Sequence, residues 1–530
     1  MRIPPTLRPW LLAIAVFLLI VSTSHHYGLT WDEPRYFYAT ELHIQWVKDF
    51  WQNLFQGRIG QSLEEDVIEA AWHWNPYLVP HPPFSRIFSG LAKTIFSPVL
   101  DKFVAYRLPS AIFFALLVTV MYLWIAAVFD RKTALFSAAA LVLMPNLFAQ
   151  AHFAMTDIPL TVLWFLTVYF FWRGLKDWRW SVVVGFVWGL ALATKFPALL
   201  IPIPLLLWAH LYHRHSYSNN LFSMIFIGPA VMVACYPYWW HRTLPRLAEF
   251  IYDSTSRGFR PETNFGIFYA HRILPTSELP WYYPFLMTGV TIPETILLLF
   301  FVGLSAVFWL KPQREIMVLF LLNGFFVLTT GLFPGGVLHD VNRLMLPAIP
   351  FLVGVASAGF FFLMHLIQES RKITTLYWLK SPREKLIGIA FVLALLPAGL
   401  DLWNYHPYQL SYYNRLVGGI RGAYQRGFEV TYLMEAYTPG FLQHLNEKLP
   451  PKATVNASFS NFMFDYYQKE KRLRQDIAIT DEKDFDFYIL LNRRSSFSEE
   501  DWGLIAEKLY LYDAFRFDGV PLILIYKPRP

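Results

Sequence analysis

The stretch YRLPSAIFFALLVTVMYLWIAAV, residues 106–128, decides the fold class because it is an almost uninterrupted apolar run. A helix that crosses a bilayer needs about 20 mostly apolar residues, and this run is long enough. Further candidate spans on either side of it lie at 8–24, 134–150, 157–173, 180–194, 197–212, 220–239, 285–309, 315–332, 345–366 and 385–401. The sequence therefore predicts a mostly α-helical, polytopic membrane bundle of about 11 transmembrane helices.

The composition indicates a membrane body with one appended domain. Of the 530 residues, 55% are hydrophobic and only 16% are charged, whereas a soluble protein is about a quarter charged. We expect a transmembrane domain over 1–401, with a long first loop at 25–105, and an extracytoplasmic α/β domain over 402–530. The net charge of +7 does not indicate nucleic-acid binding, since the cations cluster at the ends of apolar runs.

The positions of lysine and arginine predict the orientation of the bundle, because short basic loops face the cytoplasm. With a cytoplasmic N-terminus, one side receives the basic clusters at 131–132, 173–179, 214, 311–314 and 371–385. We therefore expect the first loop and the C-terminal domain to be extracytoplasmic, which for a bacterial inner-membrane protein means periplasmic. This orientation requires that 85–99 does not span. An amphipathic helix on the membrane surface suits that segment, and a second one suits 40–56, which also fits an ordinary soluble helix.

Ionisable residues collect near span ends on the predicted outer side. They are Asp32, Glu33 and Arg35 after the first span, His81 before two prolines, Asp157 at the start of a span, Lys195 between two short spans, and His339 and Arg343 before a later span. Each has a simpler explanation as a solvated loop charge, a turn residue, a helix cap or a lysine that extends to the interface. All of these residues lie on the same predicted side of the membrane. This shared location favours a functional explanation, since polar groups are costly at a membrane.

These residue types fit transfer chemistry at a phosphate. Two carboxylates such as Asp32 and Asp157 could deprotonate an acceptor hydroxyl or hold a divalent cation. His81, Lys195 and Arg343 could neutralise the charge on a leaving phosphate. A base beside a phosphate site is what glycosyl transfer from a lipid phosphate requires.

The order of these motifs resembles the glycosyltransferase C superfamily, in particular its protein O-mannosyltransferase and lipid A aminoarabinose transferase branches. The matching stretches are Trp31–Tyr36, His81–Phe84, Met155–Leu160, Gly189–Pro197, Asn342–Pro347 and Tyr405–Gly419. Two features depart from these branches. Pro80 and His81 stand where the aminoarabinose branch has an acidic residue and a lysine, and the large lumenal insertion of the mannosyltransferase branch is not recognisable in the sequence.

The resemblance implies a membrane glycosyltransferase, hexosyl or pentosyl, that moves a sugar from a polyprenyl-phosphate donor to a lipid, glycan or protein acceptor with inversion at the anomeric carbon. It implies that Asp32 is the general base and that Glu33 and Asp157 support it. It also implies that Lys195, His81 and Arg343 contact the carrier phosphate. Arg35 and His339 are further candidates for substrate binding.

Two other function classes fit a polytopic chain. A transporter or flippase of a lipid-linked sugar would show internal repeats and charges at mid-bilayer, whereas the charges here lie at span ends. A non-catalytic assembly factor would tolerate the loss of its carboxylates.

The C-terminal sequence alternates between strand and helix patterns. Strands are predicted at 453–457, 477–480, 485–491, 514–517 and 521–526, and helices at 434–448 and 498–508. This alternation predicts a small α/β layer.

Overall fold

The computed structural model describes residues 7–73, 75, 81–260, 266–333, 336–369 and 382–530, and this part of the chain is mostly helical. The helices of the first half are α1 (Arg8–Thr23), α2 (Glu33–Phe55), α3 (Ile59–Ser62), α4 (Glu65–Trp72), α5 (Phe84–Phe96), α6 (Lys102–Val128), α7 (Arg131–Val142), α8 (Pro145–Gln150), α9 (Asp157–Gly174), α10 (Trp178–Leu192), α11 (Pro202–Tyr212), α12 (Ser218–Ala234) and α13 (Thr243–Ser256). Those of the second half are α14 (Tyr283–Val290), α15 (Glu294–Ala306), α16 (Arg314–Thr330), α17 (Val341–Leu344), α18 (Ile349–Glu369), α19 (Pro382–Asn404), α20 (Gly419–Gln425), α21 (Pro439–Lys448), α22 (Asn461–Lys469) and α23 (Glu499–Glu507).

Several of these helices are apolar enough to cross a membrane. Among the described residues, five are also long enough, namely Arg8–His26, Lys102–Val128, Lys311–Thr330, Leu346–Glu369 and Glu384–Asn404. Shorter apolar helices lie at Trp178–Leu192, Phe196–Tyr212, Ser218–Ala234 and Glu294–Ala306. The chain is therefore a multi-pass membrane protein, and the total of 11 spans stays a prediction. The basic residues Arg371, Lys372 and Lys380, used for the orientation, lie outside the described residues.

Prolines divide two of the predicted spans, and a third proline lies at the predicted break between two others. The span at 134–150 is two helices, because Pro145 cannot continue α7 and instead begins α8. The span at 285–309 is likewise divided by Pro293, which precedes α15. The break expected at Pro197 is present as a 3-10 turn at Phe196–Leu200 between α10 and α11. Such breaks leave polar backbone and side chains at helix ends inside the bundle.

Small residues set a close contact between α15 and α18. A Cβ atom placed on Gly359 of α18 would lie 2.1 Å from the backbone oxygen of Leu299, and one on Gly303 of α15 would lie 2.0 Å from that of Val355. The two backbones therefore touch, as is common where membrane helices pack through small residues.

We predict that Gly359→Ala lowers the thermal stability of the detergent-solubilised protein by about 1–3 kcal/mol, because the new methyl group must push α15 and α18 apart. The control is Gly399→Ala on α19, where no atom lies within 4 Å of the added Cβ. Equal melting temperatures for the two variants would contradict this packing.

The helix predicted at 40–56 begins earlier, at Glu33, because Pro34 fits the first turn of a helix. It packs on α5, where Gly90 admits Thr40 and Ile44 of α2. Helix α5 confirms the amphipathic pattern at 85–99, since it buries Phe84 and Ser89 and exposes Ile95 and Phe96.

The C-terminal sheet has five strands in the order β4-β3-β5-β7-β6. Its strands are β3 (Thr454–Asn456), β4 (Ala478–Ile479), β5 (Phe487–Leu491), β6 (Leu509–Phe517) and β7 (Val520–Pro528), and a separate hairpin pairs β1 (Ile267–Tyr269) with β2 (Arg272–Leu274). Strand β3 is parallel to β4 and β5, whereas β7 is antiparallel to β5 and β6. The predicted strands are all present, and α22 is an addition to the prediction.

The sheet joins the helical bundle through a buried connection. The hydroxyl of Tyr467 on α22 accepts a hydrogen bond from the backbone N–H of Leu29 at 2.7 Å. Residues 427–438, which we call the buried strap, run between the sheet and the bundle and are all buried. Two glutamates inside the strap accept hydrogen bonds from backbone N–H groups, one in the strap itself and one in the turn after β5. Glu435 accepts from Leu433 at 2.6 Å, and Glu429 accepts from Arg494 at 2.8 Å.

Candidate active site

Asp157 lies at the first position of α9 and is almost completely buried, with 2% of its side chain exposed. Its carboxylate accepts hydrogen bonds from two cations on separate elements. The Nζ of Lys195, which follows α10, lies 2.8 Å from Oδ1. The Nε of Arg343 on α17 lies 2.9 Å from Oδ2. Both carboxylate oxygens are therefore held by positive charge.

Arg343 also binds the carboxylate of Asp32, which caps the start of α2. The Nη2 of Arg343 lies 2.6 Å from Asp32 Oδ2. Asp32, Arg343, Asp157 and Lys195 thus form a continuous chain of ion pairs, which we call the four-residue cluster. Asp32 is the most open carboxylate of this cluster, with 17% of its side chain exposed. The structure brings together four residues that the sequence placed on one side of the membrane.

His81 is buried beside the four-residue cluster. Burial and the positive charge of nearby Lys195 hold the pKa of the His81 imidazole well below its usual range. The ring is therefore neutral at neutral pH, which differs from the expectation that it adds positive charge. A neutral imidazole can still donate one N–H to a phosphate oxygen.

Arg86 on α5 was not a predicted site residue. Its side chain is fully buried, its guanidinium lies 5.3 Å from the ring of Tyr36, and its charge acts on His81. Among the described residues, none accepts a hydrogen bond from Nε, Nη1 or Nη2. A buried guanidinium without an acceptor is costly, so its position favours an anionic ligand. The signal in the sequence was that Arg86 is one of two cations on an amphipathic helix, the other being Lys93.

Glu33 has a different environment from its neighbour Asp32. It is completely buried and forms a two-pronged ion pair with Arg107, whose Nε and Nη2 each lie 2.8 Å from a carboxylate oxygen. The backbone N–H groups of Thr30 and Ala154 also donate to this carboxylate. Because its acceptor sites are occupied, Glu33 fits the supporting role that the resemblance implies for it.

The remaining predicted residues lie at the margin. The guanidinium of Arg35 lies 5.4 Å from the ring of Phe462 in the C-terminal region. His339 is close to the cationic side chains, since burial and the charge of Arg493 hold the pKa of its imidazole well below the usual range.

The donor set does not fit the divalent cation that the sequence left open for Asp32 and Asp157. Within the described ranges, no three His, Cys, Asp or Glu side chains converge as metal ligands. Both oxygens of Asp157 already accept from cations, and Arg343 links it to Asp32. A metal ion would have to displace these ion pairs.

We predict that Glu33→Ala destabilises the protein by about 3–5 kcal/mol, because it leaves Arg107 charged and buried without a partner. The measurement is the thermal unfolding of the solubilised protein. Glu470→Ala is the control, because Glu470 pairs with Lys102 in a partly exposed ion pair that contributes about 0–1 kcal/mol. If Glu33→Ala unfolded at the same temperature as Glu470→Ala, the supporting role of Glu33 would be wrong.

Residues 80–241 match the model of the family described as dolichyl-phosphate-mannose-protein mannosyltransferase. This match confirms the resemblance to glycosyltransferase C enzymes. The matched segment includes His81, Arg86, Asp157 and Lys195. No curated protein matches the sequence of the chain.

The chain is also similar to solved structures at low identity. One is ArnT from Cupriavidus metallidurans in the apo state, with a TM-score of 0.48, 15% identity and coverage of 98% of this chain and 97% of that chain. The same protein bound to undecaprenyl phosphate has a TM-score of 0.44, 16% identity and coverage of 98% of both chains. A third is the oligosaccharyltransferase AglB from Archaeoglobus fulgidus, with a TM-score of 0.43, 11% identity and coverage of 91% of this chain and 70% of that chain.

Proposed function

We propose that the chain is a membrane glycosyltransferase that moves a hexose or pentose from a polyprenyl-phosphate donor to a hydroxyl of a lipid, glycan or protein. The reaction takes place at the extracytoplasmic face of a bacterial plasma membrane. The observation that carries this proposal is the four-residue cluster together with the buried guanidinium of Arg86, which has no hydrogen-bond acceptor among the described residues. The family match over 80–241 supports the same reaction class.

The charges around the site favour a phosphate ester. Four cations act on His81, namely Lys195, Arg257, Arg343 and Arg86. The four-residue cluster holds two carboxylates, Asp32 and Asp157, so positive charge is in excess. A glycosyl phosphodiester carries one negative charge. The leaving phosphate gains negative charge as the glycosidic bond breaks, and preorganised cations stabilise that change.

Asp32 is the residue best placed to act as the base. In a single displacement, the acceptor oxygen attacks the anomeric carbon while the bond from that carbon to the phosphate oxygen breaks. The bonding electrons leave with the phosphate, and the hydroxyl proton moves to Asp32. Arg343 holds one oxygen of Asp32 at 2.6 Å and so fixes the carboxylate for this transfer. Asp157 orients Arg343 and Lys195 and does not touch the acceptor.

We predict that Arg86→Met weakens binding of polyprenyl phosphate by about 10–100-fold, because a charge-assisted hydrogen bond contributes about 1.5–3 kcal/mol. The ligand-free variant should be at least as stable as the wild type, since the change removes a buried charge that has no acceptor in the described part of the chain. Lipid titration and thermal unfolding of the same preparation measure both effects.

Lys195→Ala is the contrasting variant for this experiment. It should weaken binding and also destabilise the ligand-free protein, because Asp157 loses one of its two cationic partners. Unchanged lipid affinity in Arg86→Met would show that this guanidinium does not bind the carrier phosphate.

We predict that Asp32→Asn lowers the rate of sugar transfer in reconstituted protein by about 10²–10⁴-fold, because the amide cannot accept the hydroxyl proton. Expression and thermal stability should stay near those of the wild type. Asp49→Asn is the control, because Asp49 lies on the same helix α2 with an exposed side chain. The assay is the release of free polyprenyl phosphate from a purified polyprenyl-phosphate sugar.

This assay also separates the transferase from a flippase of the lipid-linked sugar. A flippase moves the intact lipid between leaflets and leaves the glycosyl phosphate bond unbroken. Mass spectrometry of glycolipids and envelope glycans from a deletion strain would identify the sugar and the acceptor class. Activity retained in Asp32→Asn would reject Asp32 as the base.

A further inference from the structure

Arg493 connects the C-terminal sheet with the cluster-bearing end of the bundle. It follows β5, and only 8% of its side chain is exposed. Its Nη2 lies 3.0 Å from Asp340 Oδ1, and its Nη1 donates to the carbonyl of Tyr432 in the buried strap at 2.6 Å. Its guanidinium also lies 5.9 Å from the ring of Trp31. One side chain thus contacts three segments that approach the four-residue cluster.

The backbone of Asp340 is hydrogen-bonded to that of Arg343. Its backbone carbonyl accepts hydrogen bonds from the N–H of Arg343 at 2.8 Å and from that of Leu344 at 3.1 Å, so it begins the turn that carries Arg343. The φ angle of Asp340 is 51°, in the left-handed region that a non-glycine residue adopts only when its surroundings hold it there. The ion pair with Arg493 is the strongest contact of its side chain. Without that pair, the buried carboxylate would lose its hydrogen-bonded cationic partner.

Trp31 immediately precedes Asp32 in the chain. Its backbone N–H donates to the carbonyl of Leu433 in the buried strap at 3.0 Å. The carbonyl of the preceding strap residue, Tyr432, accepts a hydrogen bond from Arg493. The path of the chain into Asp32 therefore depends on the same segment that Arg493 holds.

The turn that presents Arg493 is itself fixed. The carboxylate of Glu429 accepts the backbone N–H of Arg494 at 2.8 Å and that of Ser495 at 3.2 Å. The strap thus holds the backbone of this turn, and the arginine side chain holds the backbone of the strap. This reciprocal arrangement leaves Arg493 little freedom to move.

We propose that Arg493 is a positioning residue for the reaction and that the C-terminal region is a required part of the active site. This inference rests on the proposed function. Arg493 sets the distance between Asp32 and Arg343 through its contacts with Trp31 and Asp340. A displacement of about 1 Å at a reacting group costs about 100-fold in rate. Arg493 does not touch the substrate, so its loss should affect turnover more than donor binding.

The test is the kinetics of Arg493→Ala and Arg493→Lys in reconstituted protein. For Arg493→Ala we expect kcat to fall by about 10–100-fold, while KM for the polyprenyl-phosphate sugar changes by less than about threefold. Arg493→Lys keeps the charge on Asp340 compensated and should recover part of the lost kcat. Arg474→Ala is the matched control in the same region, because Arg474 also joins an aspartate, Asp476 at 2.7 Å, to backbone carbonyls.

A double-mutant cycle with Arg343→Lys separates positioning from general destabilisation. If Arg493 acts through Arg343, Arg493→Ala should cost much less in the Arg343→Lys background than in the wild type. Additive losses, or a loss no larger than that of Arg474→Ala, would overturn the inference. Wild-type protein that releases no polyprenyl phosphate would instead reject the proposed function, so the two failures are distinguishable.

Discussion

The shared carboxylate of Asp157 is the constraint on which the site depends. A buried carboxylate inside an apolar bundle is stable only with positive charge and hydrogen bonds around it. Lys195 and Arg343 supply both, and they come from two separate parts of the chain, after α10 and on α17. Asp157 at the start of α9 therefore binds both parts of the chain. Arg343 in turn binds Asp32.

Two adjacent acidic residues have opposite environments because a helix begins between them. Asp32 caps α2 and remains partly open beside Arg343, whereas Glu33 turns into the protein and is closed by Arg107. The buried pair fixes the first turn of α2, and the open carboxylate is then held where a substrate can reach it. This division gives one short motif both a stabilising and a reactive side chain.

Much of this arrangement could be predicted from sequence, since alternation of apolar runs determines which helix ends share a side. That reasoning placed Asp32, Asp157, Lys195 and Arg343 together without any three-dimensional information. It could not identify the partner of Glu33, because Arg107 lies 74 positions further along the chain. The pairing of Arg493 with Asp340 spans 153 positions and joins parts that the sequence assigned to different domains. Arg86 was missed because a charge on an amphipathic helix normally faces solvent.

The most direct test of the account is a structure of the protein with polyprenyl phosphate bound. We expect the phosphate oxygens to lie within hydrogen-bond distance, about 3 Å, of the Arg86 guanidinium and the His81 ring, with the open side of Asp32 facing the phosphate. A phosphate bound elsewhere, with Arg86 still lacking an acceptor, would contradict the assignment of this cluster as the site of sugar transfer.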